Sequence, residues 1–170
     1  MQHGPQEIRW AIARSCVGQV LVGLSDRGLC AVLIGEDEAA LLEELRQRFP
    51  QASLRHDAVC RTAADVAGLI ERPAQPVPVT VDLRGTEFQQ AVWNSLRQIP
   101  SGETITYTEL AARVGRPRAV RAAAAACAAN PVAIVVPCHR VVGRNGELRG
   151  YRWGTERKRR LLEAEAKIDN

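Results

Sequence analysis

Residues 106–129 read TYTELAARVGRPRAVRAAAAACAA, a stretch that carries the signals of two short helices joined by a turn. The capping-box pattern at 106–109 starts a first helix, which Gly115 ends. Pro117 suits the first turn of a second helix, and we expect that helix to cover residues 118–129. Two short helices joined by a glycine-containing turn predict a helix-turn-helix.

The second of these helices consists largely of alanine. A run of alanines offers little apolar area to a core, but it lets a helix approach another surface closely. One interpretation is tight packing against the rest of the protein, and the other is insertion into a nucleic-acid groove. Arg118 and Arg121 on the helix, with Arg113 and Arg116 just before it, favour the nucleic acid.

The positive charge of the chain is concentrated in its C-terminal half. The 170 residues have a formal net charge of +4 and a hydrophobic fraction of 46%, as in an ordinary globular protein. Residues 1–85 hold 9 arginines against 11 acidic residues, whereas residues 86–170 hold 14 basic residues against 8 acidic ones. A bias toward arginine, which supplies all but two of the basic residues, would not explain this asymmetry. We therefore expect a polyanion to bind the C-terminal half.

The N-terminal half has the pattern of a small α/β domain. The predicted elements are a three-stranded meander over 8–35, helices over 37–49 and about 57–70, and an extended proline-rich connection over 71–78. A short extended piece over 79–83 then leads into the second half, which opens with a helix from 86 to about 99. We place the domain boundary at the connection, which gives a supporting domain over 1–80 and a second domain over 81–170.

A nucleophile and a base stand side by side after an apolar run. Residues 133–137 read AIVVP, which we interpret as a buried strand, and Cys138, His139 and Arg140 follow it. A neighbouring base can convert a thiol into the nucleophilic thiolate. The other four cysteines, at 16, 30, 60 and 127, are interpreted as packing residues.

The positions of the cysteines and histidines in the sequence leave three other interpretations of Cys138 open. It could be a small core residue like the other cysteines. A zinc site is disfavoured because the chain has no Cys-x-x-Cys or His-x-x-x-His spacing. A papain-like protease needs a distant histidine, and His56 falls in a predicted polar loop.

Several further segments accompany the PCHRV core at 137–141. They are RGTEFQQAVW at 84–93, IPSGET at 99–104, Tyr107, Asn130 with Pro131, Gly146, GYRWG at 150–154 and LLEAE at 161–165. Together these residues closely resemble the O6-alkylguanine-DNA alkyltransferases, a family for which the PCHRV core is highly specific. The resemblance covers nearly the whole chain, more loosely in the N-terminal half, and the chain looks most like the C-terminal half of the Ada-type bacterial members.

The resemblance implies that Cys138 irreversibly accepts an alkyl group from O6 of guanine, with O4 of thymine as a second candidate position. His139 would activate the thiol through a water molecule, and Glu165 would hold His139. Asn130 matches the residue that braces the turn before the active site. Tyr107 matches the phenol that donates a proton to N3 of the leaving guanine.

The resemblance also implies that duplex DNA is the partner and that the target base is flipped out of the helix. Arg121 matches the residue that enters the base stack, while the alanine-rich helix enters the minor groove. The expected DNA-binding residues are Arg116, Arg118, Arg121, Ala122, Ala123 and Arg144. The expected substrate-pocket residues are Cys127, Val141, Tyr151, Arg152 and Trp153.

The fold implied by the resemblance is α/β, with a ribonuclease-H-like N-terminal subdomain and a mostly helical, winged-helix-like C-terminal subdomain that contains the helix-turn-helix. No cofactor is expected. Some relatives bind a structural zinc ion, but Gln6 and Ser25 stand near the matching positions here, so we expect no metal. We also expect the protein to be a monomer. A cytoplasmic location is expected because the first ten residues lack a signal-peptide pattern and no run approaches the roughly 18 apolar residues of a membrane span.

Two functions of other classes compete with alkyl transfer. Alkyltransferase-like proteins bind damaged DNA without reacting, but they lack the acceptor cysteine that Cys138 supplies. A helix-turn-helix transcription factor would fit the charge asymmetry, but it leaves Cys138, His139 and Glu165 unexplained.

Overall fold

A four-stranded sheet organises the N-terminal half of the protein. The computed structural model describes residues 6–58, 60–75, 77 and 79–167. The strands are β1 (Glu7–Ser15), β2 (Gly18–Ser25), β3 (Gly28–Gly35) and β4 (Ser53–His56), in the spatial order β3-β2-β1-β4. The first three strands pair antiparallel, which confirms the predicted meander, and β4 adds to β1 in parallel.

The sequence does not predict β4, because three of its four residues are exposed and give no apolar alternation. Its extended backbone comes from pairing with the free edge of β1. His56 ends this strand and does not lie in a loop, contrary to the prediction. Its ring packs on Trp10, with the two ring centroids 4.5 Å apart.

Two helices pack against the sheet, α1 (Glu38–Arg48) and α2 (Thr62–Glu71). Asp37 caps α1, its carboxylate accepting a hydrogen bond from the Ala39 amide at 3.1 Å. The predicted helix over 37–49 is therefore confirmed. The second helix begins later than predicted because Asp57 opens a turn, in which the Cys60 amide donates to the Asp57 carbonyl.

The extended segment that leads into the C-terminal half lies against β3. The Leu29 amide donates to the Thr80 carbonyl at 2.8 Å, and the Asp82 amide donates to the Leu29 carbonyl at 2.8 Å. Gly28 permits this approach, because its φ is +139° and a Cβ there would lie 2.4 Å from the Thr80 oxygen. The segment therefore fixes the sheet to the start of the C-terminal half.

Gln6 and Ser25 are held by side chains of the same segment. Arg84 donates to Gln6 Oε1 at 2.6 Å and to Asp82 Oδ2 at 2.7 Å, and Ser25 Oγ donates to Asp82 Oδ2 at 2.6 Å. Burial alone would raise the pKa of Asp82, but these hydrogen bonds hold it below its usual value. Within the described part of the chain, no group of three or more His, Cys, Asp and Glu side chains is arranged to hold a metal ion.

The C-terminal half is mostly helical. Its elements are α3 (Glu87–Leu96), β5 (Ile105–Thr106), α4 (Tyr107–Arg113), α5 (Val120–Ala128), β6 (Val141–Val142) and α6 (Thr155–Ala166). Thr86 and Thr106 each form a full capping box, as predicted. Trp93 Nε1 donates to the Ala126 carbonyl at 2.8 Å and so fixes α3 to α5. None of the helices formed by the described residues has the length and apolar character needed to cross a membrane.

Residues 133–137 do not form the predicted buried strand. Val132 makes one isolated bridge with Val32, and the backbone then turns, with Ile134 at a φ of 70°. The Val136 amide donates to the Val132 carbonyl at 3.1 Å, inside this turn. The apolar composition reflects burial, and burial alone does not require an extended backbone.

A short parallel pair brings the start of α4 beside the segment that contains Cys138. In this pair Ile105 of β5 lies opposite Val141 of β6. Tyr107 directly follows β5, and a single 3₁₀ turn, Cys138–Arg140, directly precedes β6. The pairing therefore sets Tyr107 and Cys138 on neighbouring parts of the structure.

Candidate active site

Cys138 is a buried thiol at the start of the 3₁₀ turn, with 4% of its surface exposed. Its Sγ accepts a hydrogen bond from Asn130 Nδ2 at 3.2 Å. Burial raises the pKa of the thiol to about 11, although the Asn130 hydrogen bond and the charge of Lys158 act in the opposite direction. At neutral pH the thiol therefore needs a base before it can act as a nucleophile.

Asn130 braces the turn that carries Cys138. The side chain is fully buried, and its Nδ2 donates to the Val136 carbonyl at 2.8 Å as well as to Cys138. Its Oδ1 accepts from the Val132 amide at 2.9 Å. Both ends of the amide are thus used, so the side chain ties residues 132, 136 and 138 together.

His139 and Glu165 form a buried pair, with His139 Nε2 2.7 Å from Glu165 Oε1. Burial alone would raise the pKa of Glu165, but hydrogen bonds from His139 and Arg140 lower it to about 2. The ionised carboxylate can only accept, so Nε2 carries the ring proton and Nδ1 is the acceptor. Burial lowers the pKa of His139, so the ring is neutral at pH 7. Nδ1 is buried and has no hydrogen-bond partner among the described residues, which makes it the nitrogen that can take a proton.

Arg140 fixes the carboxylate from the other side. Its Nε and Nη2 donate to Glu165 at 3.0 and 2.7 Å, and its Nη1 donates to the Ile99 carbonyl at 2.6 Å. A bidentate guanidinium holds a carboxylate in one orientation. Leu69 of α2 lines the same small cavity as His139 and Glu165, so the pair lies where the two halves of the protein meet.

Tyr107 and Lys158 form a second polar group near the thiol. Both the Tyr107 hydroxyl and the Lys158 ammonium donate to the Arg149 carbonyl, each at 3.0 Å, and Lys158 Nζ lies 3.4 Å from the Tyr107 oxygen. Burial raises the pKa of Tyr107 to about 12, with charge on Cys127 and Cys138 adding to the effect. Tyr107 therefore stays protonated at neutral pH and can donate a proton.

The expected pocket residues differ in burial. Val141, Tyr151, Trp153 and Cys127 are buried, whereas Arg152 is partly exposed. The rings of Tyr151 and Trp153 meet edge to face, with centroids 5.4 Å apart. The Tyr151 hydroxyl and Trp153 Nε1 are buried without a hydrogen-bond partner in the part of the chain that the structure describes.

The expected DNA-binding residues divide into exposed and buried ones. The exposed ones are Arg116 and Arg118 between α4 and α5, Arg121 and Ala122 on α5, and Arg144 just after β6. Ala123 is fully buried and cannot contribute to that surface, so its assignment is wrong. An α-helix that packs on a core has some alanines facing inward, and the uniform alanine run gave no means of telling Ala122 from Ala123.

Lys158 and Arg140 are two residues of the site for which the sequence predicts no role. Lys158 is 1% exposed, and burial lowers its pKa, while charge on Cys138 and Cys127 favours its protonated form. One signal for it exists, because only two of the 23 basic residues are lysines.

Comparison with known proteins gives a consistent picture. A family model described as "6-O-methylguanine DNA methyltransferase, DNA binding domain" matches residues 87–167. The chain is 47% identical over 169 residues to the bifunctional transcriptional activator/DNA repair enzyme Ada of Escherichia coli, covering 97% of this chain and 48% of Ada. It thus spans about half the length of that relative. It is 40% identical to the inducible methylated-DNA–protein-cysteine methyltransferase of Bacillus subtilis, covering 94% of this chain and 85% of that protein.

Solved structures agree with the sequence relatives. Mycobacterium tuberculosis OGT in complex with DNA superposes with a TM-score of 0.78 at 36% identity, covering 95% of this chain and 93% of that one. The Mycobacterium tuberculosis O6-methylguanine methyltransferase gives a TM-score of 0.75 at 34% identity over similar shares. The mixed α/β architecture is therefore that of the OGT structures.

Proposed function

The chain belongs to the methylated-DNA–protein-cysteine methyltransferase family, and from this premise we propose that it repairs duplex DNA by moving an alkyl group from O6 of guanine to Cys138. The observation that carries the proposal is the buried thiol, which directly precedes a neutral histidine held by an ionised carboxylate. O4 of alkylated thymine is the second position from which transfer to Cys138 is to be tested.

The proposed reaction begins with removal of the thiol proton. A bridging water passes this proton from Cys138 to His139 Nδ1, and Glu165 stabilises the imidazolium that forms. The charge of Lys158 and the hydrogen bond from Asn130 favour the thiolate. Because the pKa of the Cys138 thiol is about 11, very little thiolate forms at pH 7 unless His139 removes the proton.

Alkyl transfer then follows as a displacement at carbon. The thiolate forms a bond to the alkyl carbon, and the bond from that carbon to O6 breaks with its electron pair moving to the purine. The Tyr107 hydroxyl donates a hydrogen bond to N3 and so stabilises the purine anion as it leaves, while Tyr107 itself keeps its proton. The anion takes up a proton at N1 from water and His139 releases the thiol proton to water, so that restored guanine remains in DNA. The thioether on Cys138 has no easy leaving group, and the protein therefore acts once per molecule without a cofactor.

DNA binding in this proposal uses the exposed arginines and the slim helix. Arg116, Arg118 and Arg144 contact phosphates, while Ala122 allows α5 to approach the floor of the minor groove. Arg121 fills the gap that the flipped nucleotide leaves in the base stack. This contact offsets the cost of unpairing and unstacking the base, which is about a few kcal/mol. The solved complex of the tuberculosis OGT with DNA supports this assignment of the partner.

The domain assignment belongs to the same proposal. Residues 1–80 form a ribonuclease-H-like supporting subdomain, and residues 81–170 form a winged-helix-like subdomain that binds DNA and holds the acceptor. The division is supported by the four-stranded sheet in the first part and by α4, α5 and the β5–β6 pair in the second.

The test is the intact mass of the protein after incubation with duplex DNA that contains O6-methylguanine. A gain of one methyl group, mapped to Cys138 by peptide mass, is expected. An unchanged mass with tight binding to the damaged duplex would support a non-reacting damage binder instead. An unchanged mass with equal binding to undamaged DNA would support a transcription factor.

The pocket also predicts a preference for small alkyl groups. Tyr151 and Trp153 are bulky and buried against each other, and Arg152 lies over the Trp153 ring, 5.7 Å from its centroid. We expect methyl transfer from O6-methylguanine to be at least about tenfold faster than benzyl transfer from O6-benzylguanine in the same duplex. Mass time courses with protein in excess measure both rates, and comparable rates would contradict the prediction.

A further inference from the structure

The loop over residues 149–154 joins the candidate active site to the N-terminal half. At its start, the Arg149 carbonyl accepts hydrogen bonds from Tyr107 and Lys158, each at 3.0 Å. Gly150, next in the loop, has a φ of +59°, and a Cβ there would lie 3.9 Å from the Tyr107 hydroxyl. The start of the loop is therefore fixed by groups of the site itself.

The other end of the loop is held by an acidic residue of α1. Arg152 Nη2 donates to Glu44 Oε1 at 2.5 Å, and Arg48 Nη2 lies 3.4 Å from the same oxygen. The side chains of Glu44 and Arg152 are 27% and 34% exposed, so solvent screens this pair only in part. One carboxylate thus holds two guanidinium groups that would otherwise repel each other.

Arg157 provides a second tie between the loop and the sheet. Its Nη1 donates to the Trp153 carbonyl at 3.1 Å, its Nε to the Val17 carbonyl at 2.6 Å, and its Nη2 to Glu36 Oε1 at 2.6 Å. Gly18 makes room for this side chain, because a Cβ there would lie 3.2 Å from Arg157 Nη2. The backbone at Trp153 is therefore fixed, and the side chain of Arg152 depends on Glu44.

Tyr151, between the two ends of the loop, interacts electrostatically with Cys138. Tyr151 is buried, and burial together with charge on Cys138 raises its pKa well above the usual value. Trp153 packs edge to face on Tyr151 and carries Arg152 over its ring. A shift of Arg152 would therefore disturb the packing of Trp153 on Tyr151, the residue whose pKa is raised by charge on Cys138.

We propose that Glu44 is a positioning residue for alkyl-group selectivity: by holding Arg152, it keeps residues 151–153 in a closed arrangement that admits small alkyl groups. This inference rests on the proposed alkyl transfer. It assigns a part in that reaction to the N-terminal half, whose own residues carry no nucleophile or base of the site. Glu44 acts through Arg152 and contacts no reacting atom.

The test compares Glu44→Gln with Glu43→Gln, because both substitutions remove one negative charge from α1. Glu43 is exposed and pairs with Arg46 within the same helix. Rates of methyl and benzyl transfer are measured with protein in excess over saturating amounts of O6-methylguanine and O6-benzylguanine duplexes. In Glu44→Gln the ratio of the benzyl rate to the methyl rate is expected to rise about fivefold, whereas Glu43→Gln keeps the wild-type ratio.

A double-substitution cycle shows whether Glu44 acts through Arg152. Arg152→Gln alone should raise the same ratio, and adding Glu44→Gln should raise it no further. An unchanged ratio in Glu44→Gln, an equal fall of both rates, or the same rise in Glu43→Gln would overturn the inference while leaving alkyl transfer intact. A wild-type protein that takes up neither alkyl group would instead overturn the proposed function and this inference with it.

Discussion

Replacing Cys138 with alanine is expected to abolish alkyl transfer and to leave binding to an O6-methylguanine duplex within about twofold of the wild-type value. The Sγ atom is the proposed bond-forming atom, and alanine has no atom that can replace it. Folding should survive, because Asn130 keeps its hydrogen bonds to Val136 and Val132. Binding should survive because the exposed arginines of α4 and α5 are unchanged. Intact mass and a fluorescence binding titration on the same sample measure both properties.

Cys30→Ala is the matched control for this variant. Cys30 is also a buried thiol, and burial raises its pKa to about 11, as for Cys138. It lies in β3, with its Sγ 3.4 Å from the Gly23 carbonyl oxygen, and has no neighbouring histidine in sequence. The control protein should still gain one methyl group. A methyl gain in Cys138→Ala, or its loss in Cys30→Ala, would place the acceptor elsewhere.

Local sequence signals predicted the elements that position the site. The capping boxes at Thr86 and Thr106 determine where α3 and α4 begin. Each forms entirely between the threonine and the residue three positions later, so the local sequence is enough to predict it. The glycine and proline between α4 and α5 likewise act over a few residues. The pairing of His139 with Glu165 could be expected only from family resemblance, since the two residues are 26 positions apart.

The remaining features depend on contacts between distant segments. β4 is a strand only because β1 offers it an edge, and residues 133–137 turn because Asn130 and β3 satisfy their backbone groups. Ala123 is buried because α5 packs on both α3 and α4, and the sequence does not show which side of α5 these helices cover. The contact between Glu44 and Arg152 joins residues 108 positions apart, and no local pattern marks either one.

Substituting Glu165 with glutamine is expected to slow methyl transfer by about 10²- to 10³-fold at pH 7. The carboxylate holds the Nε2 proton of His139 and favours the imidazolium that forms when Nδ1 takes the thiol proton. Glutamine has a similar shape but no charge, so the histidine becomes a weaker base. The variant should also lose about 3 kcal/mol of unfolding free energy, because Arg140 stays buried without a counter-charge. Single-turnover rates are therefore measured well below its unfolding temperature.

The pH dependence separates loss of the base from loss of structure. In Glu165→Gln the rate should climb toward that of the wild type as the pH rises from about 7 to about 10, because an increasing fraction of Cys138 ionises without help. The rate is expected to rise with pH because the pKa of the Cys138 thiol is about 11. Ionisation of the thiol without a base is negligible at pH 7 and appreciable near pH 10. Glu163→Gln on the exposed side of α6 is the control and should match the wild type throughout. A deficit in Glu165→Gln that stays constant with pH would mean that the carboxylate only supports the fold, because misplacement of the thiol is not repaired by ionising it.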